Sequence, residues 1–476
     1  MQVLAGQKMR LNAVLQIIYT ILLFSPLVNG VGSLCHAKEA VETTFLAVFP
    51  GAEGFGSRTH AGRGGKIIRV VNWNDSGPGS FRAAVETAGP RIVVFEVGGT
   101  IELRSNIVLK KPYITIAGQT APSPGIQIKG AGISIETHDV LLQHIFLRVG
   151  DEISGPNPNS RDNLQVVGSN AYNVVIDHVS AQWATDENMS TNISAHDVTF
   201  SNCLIAEGLK DSIRTDGEQH SNGSLFGEGS RNISVISNLY AHNRTRSPGF
   251  VKGNVSIAFV NNLAFNSGTK TFASFGGKAG PSVGAMVGNL FIAGPETPDK
   301  SIGFNVNGSA ITGTKIYQRD NVHLGGIPFS ISRSITFEVL SVQPVFIDGI
   351  TVLPSTAVET HVLANAGARP GLRFTAEGDF VDERIVREVS SRSGIIPNCV
   401  QADGSPRCSK NAGGWPQLTP TKRVFLIPPQ PHEDEDHDGY TNIEEILHQM
   451  AKEVEGDIHR ISSENSTPPP VHIQRK

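Results

Sequence analysis

Asn232-Ile-Ser-Val-Ile-Ser-Asn-Leu239 alternates apolar and polar side chains and is rich in β-branched residues, the pattern of a short strand rather than a helix. Asn173-Val-Val-Ile-Asp177 and Asp197-Val-Thr-Phe-Ser201 repeat it upstream. Each run leads into a short element in which Asn, His or Asp meets a further apolar residue. The element returns as Gln143-His144-Ile145, Asp177-His178-Val179, Ser201-Asn202-Cys203, Ser237-Asn238-Leu239, Asn261-Asn262-Leu263, Gly288-Asn289-Leu290 and Asp320-Asn321-Val322. Its middle residues recur every 24 to 36 positions, inside the window of stacked solenoid coils. Parallel coils place equivalent residues over one another, so Asn202, Asn238, Asn262 and Asn289 read as an amide ladder that satisfies buried polar groups at a bend. The expected class is all-β, a parallel β-helix.

The composition agrees. The chain has 476 residues, 39% of them hydrophobic, with 50 glycines, only 18% charged residues and a net charge of −4. A large core dense in turns follows, and the charge carries no signature of nucleic-acid binding. Residues 1–30 read as a signal peptide: Lys8 and Arg10 precede an apolar run from Leu11 to Val28, and Val28-Asn29-Gly30 offers a small-residue cleavage site. With no comparable apolar run after it, a secreted, soluble, monomeric protein with no membrane partner is expected. Cys399 and Cys408 could close a small loop in an oxidising compartment, Cys203 reads as a core residue, and no partner is assigned to Cys35. Sequons at Asn188, Asn192, Asn222, Asn243 and Asn254 are compatible with a secreted glycoprotein.

After a linker at 31–47, the solenoid is expected over 48–350. The run Gly79-Ser-Phe-Arg-Ala-Ala-Val-Glu86, with Ser80 as cap, is read as a helix over the solenoid's open end. Residues 351–415 form an extension with helical stretches at 357–365 and 382–389, and 416–431 form a proline-rich linker. Then comes Asp434-Glu-Asp-His-Asp-Gly-Tyr-Thr-Asn-Ile-Glu-Glu445, with Asp at positions one, three and five, Gly at six and Glu at twelve. That is the spacing of an EF-hand calcium loop, and Asp434, Asp436, Asp438, Tyr440 and Glu445 are its candidate ligands. Ile443, Ile446, Leu447 and Met450 continue it as an amphipathic helix that can dock on the main domain. This segment spans 432–456, structural calcium is its expected occupant, and 457–476 reads as a disordered tail.

Phe49-Pro-Gly-Ala-Glu-Gly-Phe-Gly56, Gly79-Ser-Phe-Arg82, Ala117-Gly-Gln-Thr-Ala-Pro122, Val175-Ile-Asp-His-Val-Ser180 and Trp183-Ala-Thr-Asp-Glu-Asn188 together resemble the pectate lyases of polysaccharide lyase family 1, over nearly all of the chain beyond Phe49. The resemblance implies a right-handed, single-stranded parallel β-helix with its active site on one lateral sheet. It also implies calcium-dependent β-elimination on α-1,4-linked polygalacturonate, giving unsaturated oligogalacturonides.

Such chemistry needs a cation against the substrate carboxylate, a base for the C5 proton and stabilisation of the leaving oxygen. Asp162 precedes one strand and Asp186 and Glu187 follow the next bend, so coil stacking can join them; similarity to the family assigns Asp162 and Asp186 as calcium ligands, with Glu187 a third candidate. Ser190 stands near a position where relatives carry another acid. The resemblance makes Arg246 of Arg246-Ser-Pro248 the base; Lys252 is the candidate to replace, in binding the substrate carboxylate, a second arginine that relatives carry beyond the proline, and Arg244 and His220 are further candidates for substrate contact. Asp177 is read as a structural partner of His178. A hydrolase is disfavoured because no Asp-Asp pair or Gly-His-Gly element occurs; a pectin lyase on methylated substrate and a non-catalytic carbohydrate-binding β-helix remain as alternatives.

Overall fold

The computed structural model describes residues 46–397, apart from 153, 254, 278, 332–336 and 345–349, and residues 418–456. The signal-peptide reading, Cys35, Cys399, Cys408, Asn254 and the tail lie outside these.

Three parallel sheets take every third strand in turn. Sheet I has eleven strands, sheet II nine and sheet III ten, including one antiparallel addition. This is a right-handed, single-stranded parallel β-helix, the handedness that parallel crossovers adopt. Side chains alternate between the interior and a second apolar layer. In the three-residue sheet III strands Leu204–Ala206, Leu239–Ala241 and Leu290–Ile292, the middle residues Ile205, Tyr240 and Phe291 enter the central core. The flanking residues face outward beneath helices.

Those helices are α2 (Ser355–Asn365) and α3 (Phe380–Ser391), which contain the stretches 357–365 and 382–389 expected to be helical and extend beyond them. Val358, Val362, Val381, Ile385 and Val389 cover Leu204, Leu239, Leu263 and Leu290. The first helix, α1 (Phe81–Glu86), is capped as expected, Ser80 accepting from Ala83 N, and its Phe81, Ala84 and Val85 join the core. Phe49 to Gly56 lies across the outer face of sheet I, where Gly56 N donates to Thr199 Oγ1 at 3.0 Å. A Cβ at Gly56 would sit 2.2 Å from Val174 O, so glycine alone permits this approach.

Residues 418–431, expected as a linker, lie against the first coils: Thr421–Lys422 pairs antiparallel with Val97 and Gly98, and Phe425 is buried. The last helix, α4 (Asn442–Glu455), opens with a capping box of Thr441 and Glu444. It docks on the Ala117-Gly-Gln-Thr120 turn, where Ile443 and Leu447 pack on Ile92, Val94 and Ala117. Arg63 pairs with Glu444 at 2.8 Å.

The amide ladder exists, displaced by one residue at its start. Asn238, Asn262, Asn289 and Asn321 donate side chain to side chain at 3.0, 3.1 and 2.9 Å, and the equivalent position one coil earlier is Cys203. Asn202 instead occupies the corner, with φ 50°, and its amide is 3.3 Å from Asp177 Oδ1. Residues that look alike in sequence therefore sit at two successive coil positions. A second ladder runs through Asn163, Asn188 and Asn243 at 2.9 and 3.2 Å. Asn188, Asn222 and Asn243, read as sequons, are buried, which places them beyond the reach of glycan attachment in the folded chain. Asn262→Ala, which strands buried partners on both sides, is expected to cost about 1–3 kcal/mol in denaturant unfolding, and Asn202→Ala distinctly less.

Candidate active site

The entrances of four consecutive sheet II strands form the site. Leu164–Val167, Glu187–Asn192, Asn222–Phe226 and Gly249–Phe250 stack in parallel, with Glu187 opposite Asn222 and Asn222 bridged to Thr245. Asp162, Asp186 with Glu187, His220 and Arg246 stand where the chain enters these strands. Backbone bonds from Thr185 N and Asp186 N to Arg161 O, at 3.2 and 3.4 Å, hold the two acidic bends together.

One oxygen from each of Asp162, Asp186 and Glu187 lies within 4.8 Å of the others. Asp162 accepts from Glu187 N at 3.0 Å and from Ser190 Oγ at 3.3 Å, so the serine at the place of a fourth acid binds an acid instead. Burial, and after it the charge of Asp186, hold the Asp162 carboxyl well above the usual carboxylate range. Arg246, at φ 56° after a turn fixed by Ser224 N donating to its carbonyl at 2.7 Å, pairs its guanidinium with Glu187. Burial draws Arg246 below the ordinary arginine value, against the pull of Asp186 and Asp162. These four side chains form one cluster.

The remaining candidates take different places. His220 Nδ1 is 2.8 Å from Asp186 Oδ1, so it neighbours the acids directly. Arg244 donates to Gln219 O at 3.0 Å and braces the loop carrying His220. Lys252 is exposed, at the opposite end of the Gly249–Phe250 strand from Arg246.

Two further residues belong here. Asn222 Nδ2 donates to Glu187 Oε1 at 3.2 Å, and Arg214 Nη1 stands 3.7 Å from Asp186 Oδ1. Asn222 shares the register column of Glu187, a signal the sequence hid inside an apparent sequon; nothing local marks Arg214.

The C-terminal loop is likewise assembled. Oxygens of Asp434, Asp436 and Asp438 lie within 4.8 Å of one another, and Gly439 turns the chain at φ 100°. Glu445 is raised above the usual glutamate value, by burial first and then by Asp436 and Asp438. Tyr440 N donates to Asp438 Oδ1 at 2.8 Å, and the Tyr440 ring lies beneath Arg63, 5.4 Å from its centroid.

An acidic cluster and an arginine across adjacent coils of a parallel β-helix place the molecule among the β-helical enzymes that act on polysaccharides. Similar solved folds include jun a 1, the major allergen of cedar pollen, with TM-score 0.52 and 16% identity over 65% of this chain and 91% of that one. A pectate lyase bound to hexasaccharide gives TM-score 0.50 and 12% identity over 69% and 99%. At such identities the likeness is one of fold. In sequence, the "Probable pectate lyase C" of Aspergillus fumigatus is 36% identical over 365 residues, 75% of this chain and 80% of the relative. The chain belongs to the pectate lyase family and is a polysaccharide lyase. No family model matches it.

Proposed function

We propose that this chain is a secreted pectate lyase that cleaves α-1,4-linked polygalacturonate by calcium-dependent β-elimination, releasing unsaturated oligogalacturonides. The convergence of Asp162, Asp186 and Glu187 beside Arg246 carries the reading. The names of its relatives, the apolar leader at 1–30 and the absence, among the described residues, of a helix able to cross a membrane are consistent with it.

The residues fit calcium. Carboxylate oxygens are its preferred ligands, and the proton affinity of Asp162 is raised by burial first and then by the charge of Asp186, a repulsion a divalent cation relieves. Asp162, Asp186 and Glu187 would hold it, with Asn222 and His220 orienting the acids. Calcium so bound supplies positive charge against the uronate carboxylate, which acidifies C5–H. Arg246 acts in its neutral form, its guanidinium proton having first passed to solvent, and takes the C5 proton; the C5–H electron pair forms the C4–C5 double bond, the C4–O4 bond breaks, and solvent protonates the departing oxygen. Partial burial, which lowers its proton affinity, favours Arg246 in this role over a solvated arginine. Asn222 and Arg214 keep the acids in register while the substrate is turned over.

The test is release of ultraviolet-absorbing product from polygalacturonate and from methylated pectin, with and without chelator. Strong preference for polygalacturonate, lost on chelation and restored by calcium, is expected. Undiminished activity after metal removal, or activity confined to methylated pectin, would refute the reading. Asp434, Asp436 and Asp438 of the C-terminal loop would hold a second, structural calcium. Asp436→Asn is accordingly expected to remove a calcium-dependent stabilisation of about 4 kcal/mol at calcium near a thousandfold above its Kd, read as thermal unfolding, while lyase rate at saturating calcium is retained.

A further inference from the structure

We infer that His144, Asp177, His178 and Glu455 form a third metal site, for a divalent transition ion of the zinc class, at the corner of sheet I and chemically distinct from both acidic clusters. His144 and His178 occupy equivalent corner positions of neighbouring coils, with φ 58° and 49° and rings stacked at 5.2 Å. Glu455, the last residue of α4, reaches both. Donor atoms of all four residues lie within 4.8 Å of one another.

The observation that points to a ligand is the His144 ring. Its Nδ1 is 2.9 Å from Ala368 O, which requires a proton on Nδ1 and directs Nε2 into the cluster. Nε2 is wholly enclosed yet has no hydrogen-bond partner, although Glu455 Oε1 stands 3.3 Å away. An imidazole held by a backbone carbonyl through one nitrogen, its other nitrogen buried beside carboxylates, has the outer-shell arrangement of a metal-ligating histidine. Tetrahedral zinc with bonds of about 2.0–2.1 Å spaces its donors by about 3.3 Å. His144 Nε2 to Glu455 Oε1 is 3.3 Å and His178 Nδ1 to Glu455 Oε1 is 3.7 Å.

The donor set selects the ion. Two imidazoles and two carboxylates suit zinc and its neighbours, whereas calcium takes oxygen alone. Asp177 is itself oriented by Gln143 and Ser201, at 3.0 and 2.7 Å, as a ligating carboxylate would be. Without metal, Asp177 and His178 pair at 2.8 Å. Binding displaces the proton between them to solvent. A cavity of about 380 Å³, lined by Asp177, His178, His361, His448 and Glu455, gives the ion a route in. A metal here ties the last turn of α4 to two coils.

The probe is zinc chloride added to the metal-stripped full chain in excess calcium, followed by equilibrium dialysis and thermal unfolding. Cobalt substitution adds the visible absorption of a tetrahedral site. Expected are one zinc per chain, a zinc-dependent rise in unfolding temperature, and a fall in zinc affinity of at least about 100-fold in both His144→Ala and Glu455→Gln, with Asp162→Asn binding zinc as the parent does. Should His144→Ala not fold, Glu455→Gln, at a helix end, carries the measurement, its fold checked by circular dichroism in zinc-free buffer. No zinc bound by the parent chain, or equal binding by the folded variants, overturns the inference.

Discussion

Arg246→Lys is expected to slow release of unsaturated product by about 10²–10⁴-fold, with little change in KM. Lysine preserves the charge facing Glu187 but not the planar guanidinium that reaches it from the strand entrance, so ground-state electrostatics survive while proton transfer fails. The companion measurement is calcium affinity. Arg246 opposes a cation among Asp162, Asp186 and Glu187, so Arg246→Ala should bind calcium at least as tightly as the parent while remaining slow. A variant that lost rate only because calcium was lost would recover at high calcium, and that recovery would remove Arg246 from the proton-transfer step. Arg244→Ala, which frees only a brace on the His220 loop, should cost much less.

The largest stability effect is expected at Arg148, which is 0% exposed between sheet III and α3. Its guanidinium donates to Asp379 at 2.6 and 2.9 Å, to Asp382 at 3.2 Å, and to Gln127 and Gln182 at 2.9 Å each. It also lies over the rings of Phe146 and Trp183. Arg148→Met keeps volume but strands two buried acids, and should cost about 3–5 kcal/mol. Burial and Asp379 already raise Asp382 above the usual aspartate value. Without Arg148 that rise must grow. A carboxyl whose folded pKa lies above its unfolded one binds protons more tightly when folded, so its penalty is present at neutral pH and fades as pH falls through the raised value. The deficit against the parent should therefore shrink between pH about 8 and about 5 in chemical denaturation. A deficit independent of pH would mean that lost packing, not stranded charge, dominates.

Much of this was legible in the chain. Strand alternation around Asn173 to Asp177 and Asn232 to Ser237, the calcium-loop spacing from Asp434 to Glu445 and the capping of α1 by Ser80 are local patterns, and local sterics and hydrogen bonding decide them. The candidates Asp162, Asp186, Glu187 and Arg246 were visible through family motifs and do converge. Asn222 and Arg214 were not. Asp162 to Glu187 spans 25 residues and Glu187 to Asn222 spans 35, because the second coil carries the loop that holds Arg214 and His220. No fixed period finds both neighbours.

The same limit displaced the ladder by one position at Asn202, and hid the meeting of His144 and His178 with Glu455, nearly three hundred residues further on. From its sequence alone this protein is a stack of short parallel strands with acids near their entrances and a loop of calcium-ligand spacing behind them, because alternation, capping and ligand spacing act over a few residues. Which acids come together, which arginine faces them and what the last helix touches were decided by the tertiary structure. Coils of unequal length close on one another only when packing and backbone pairing set the register.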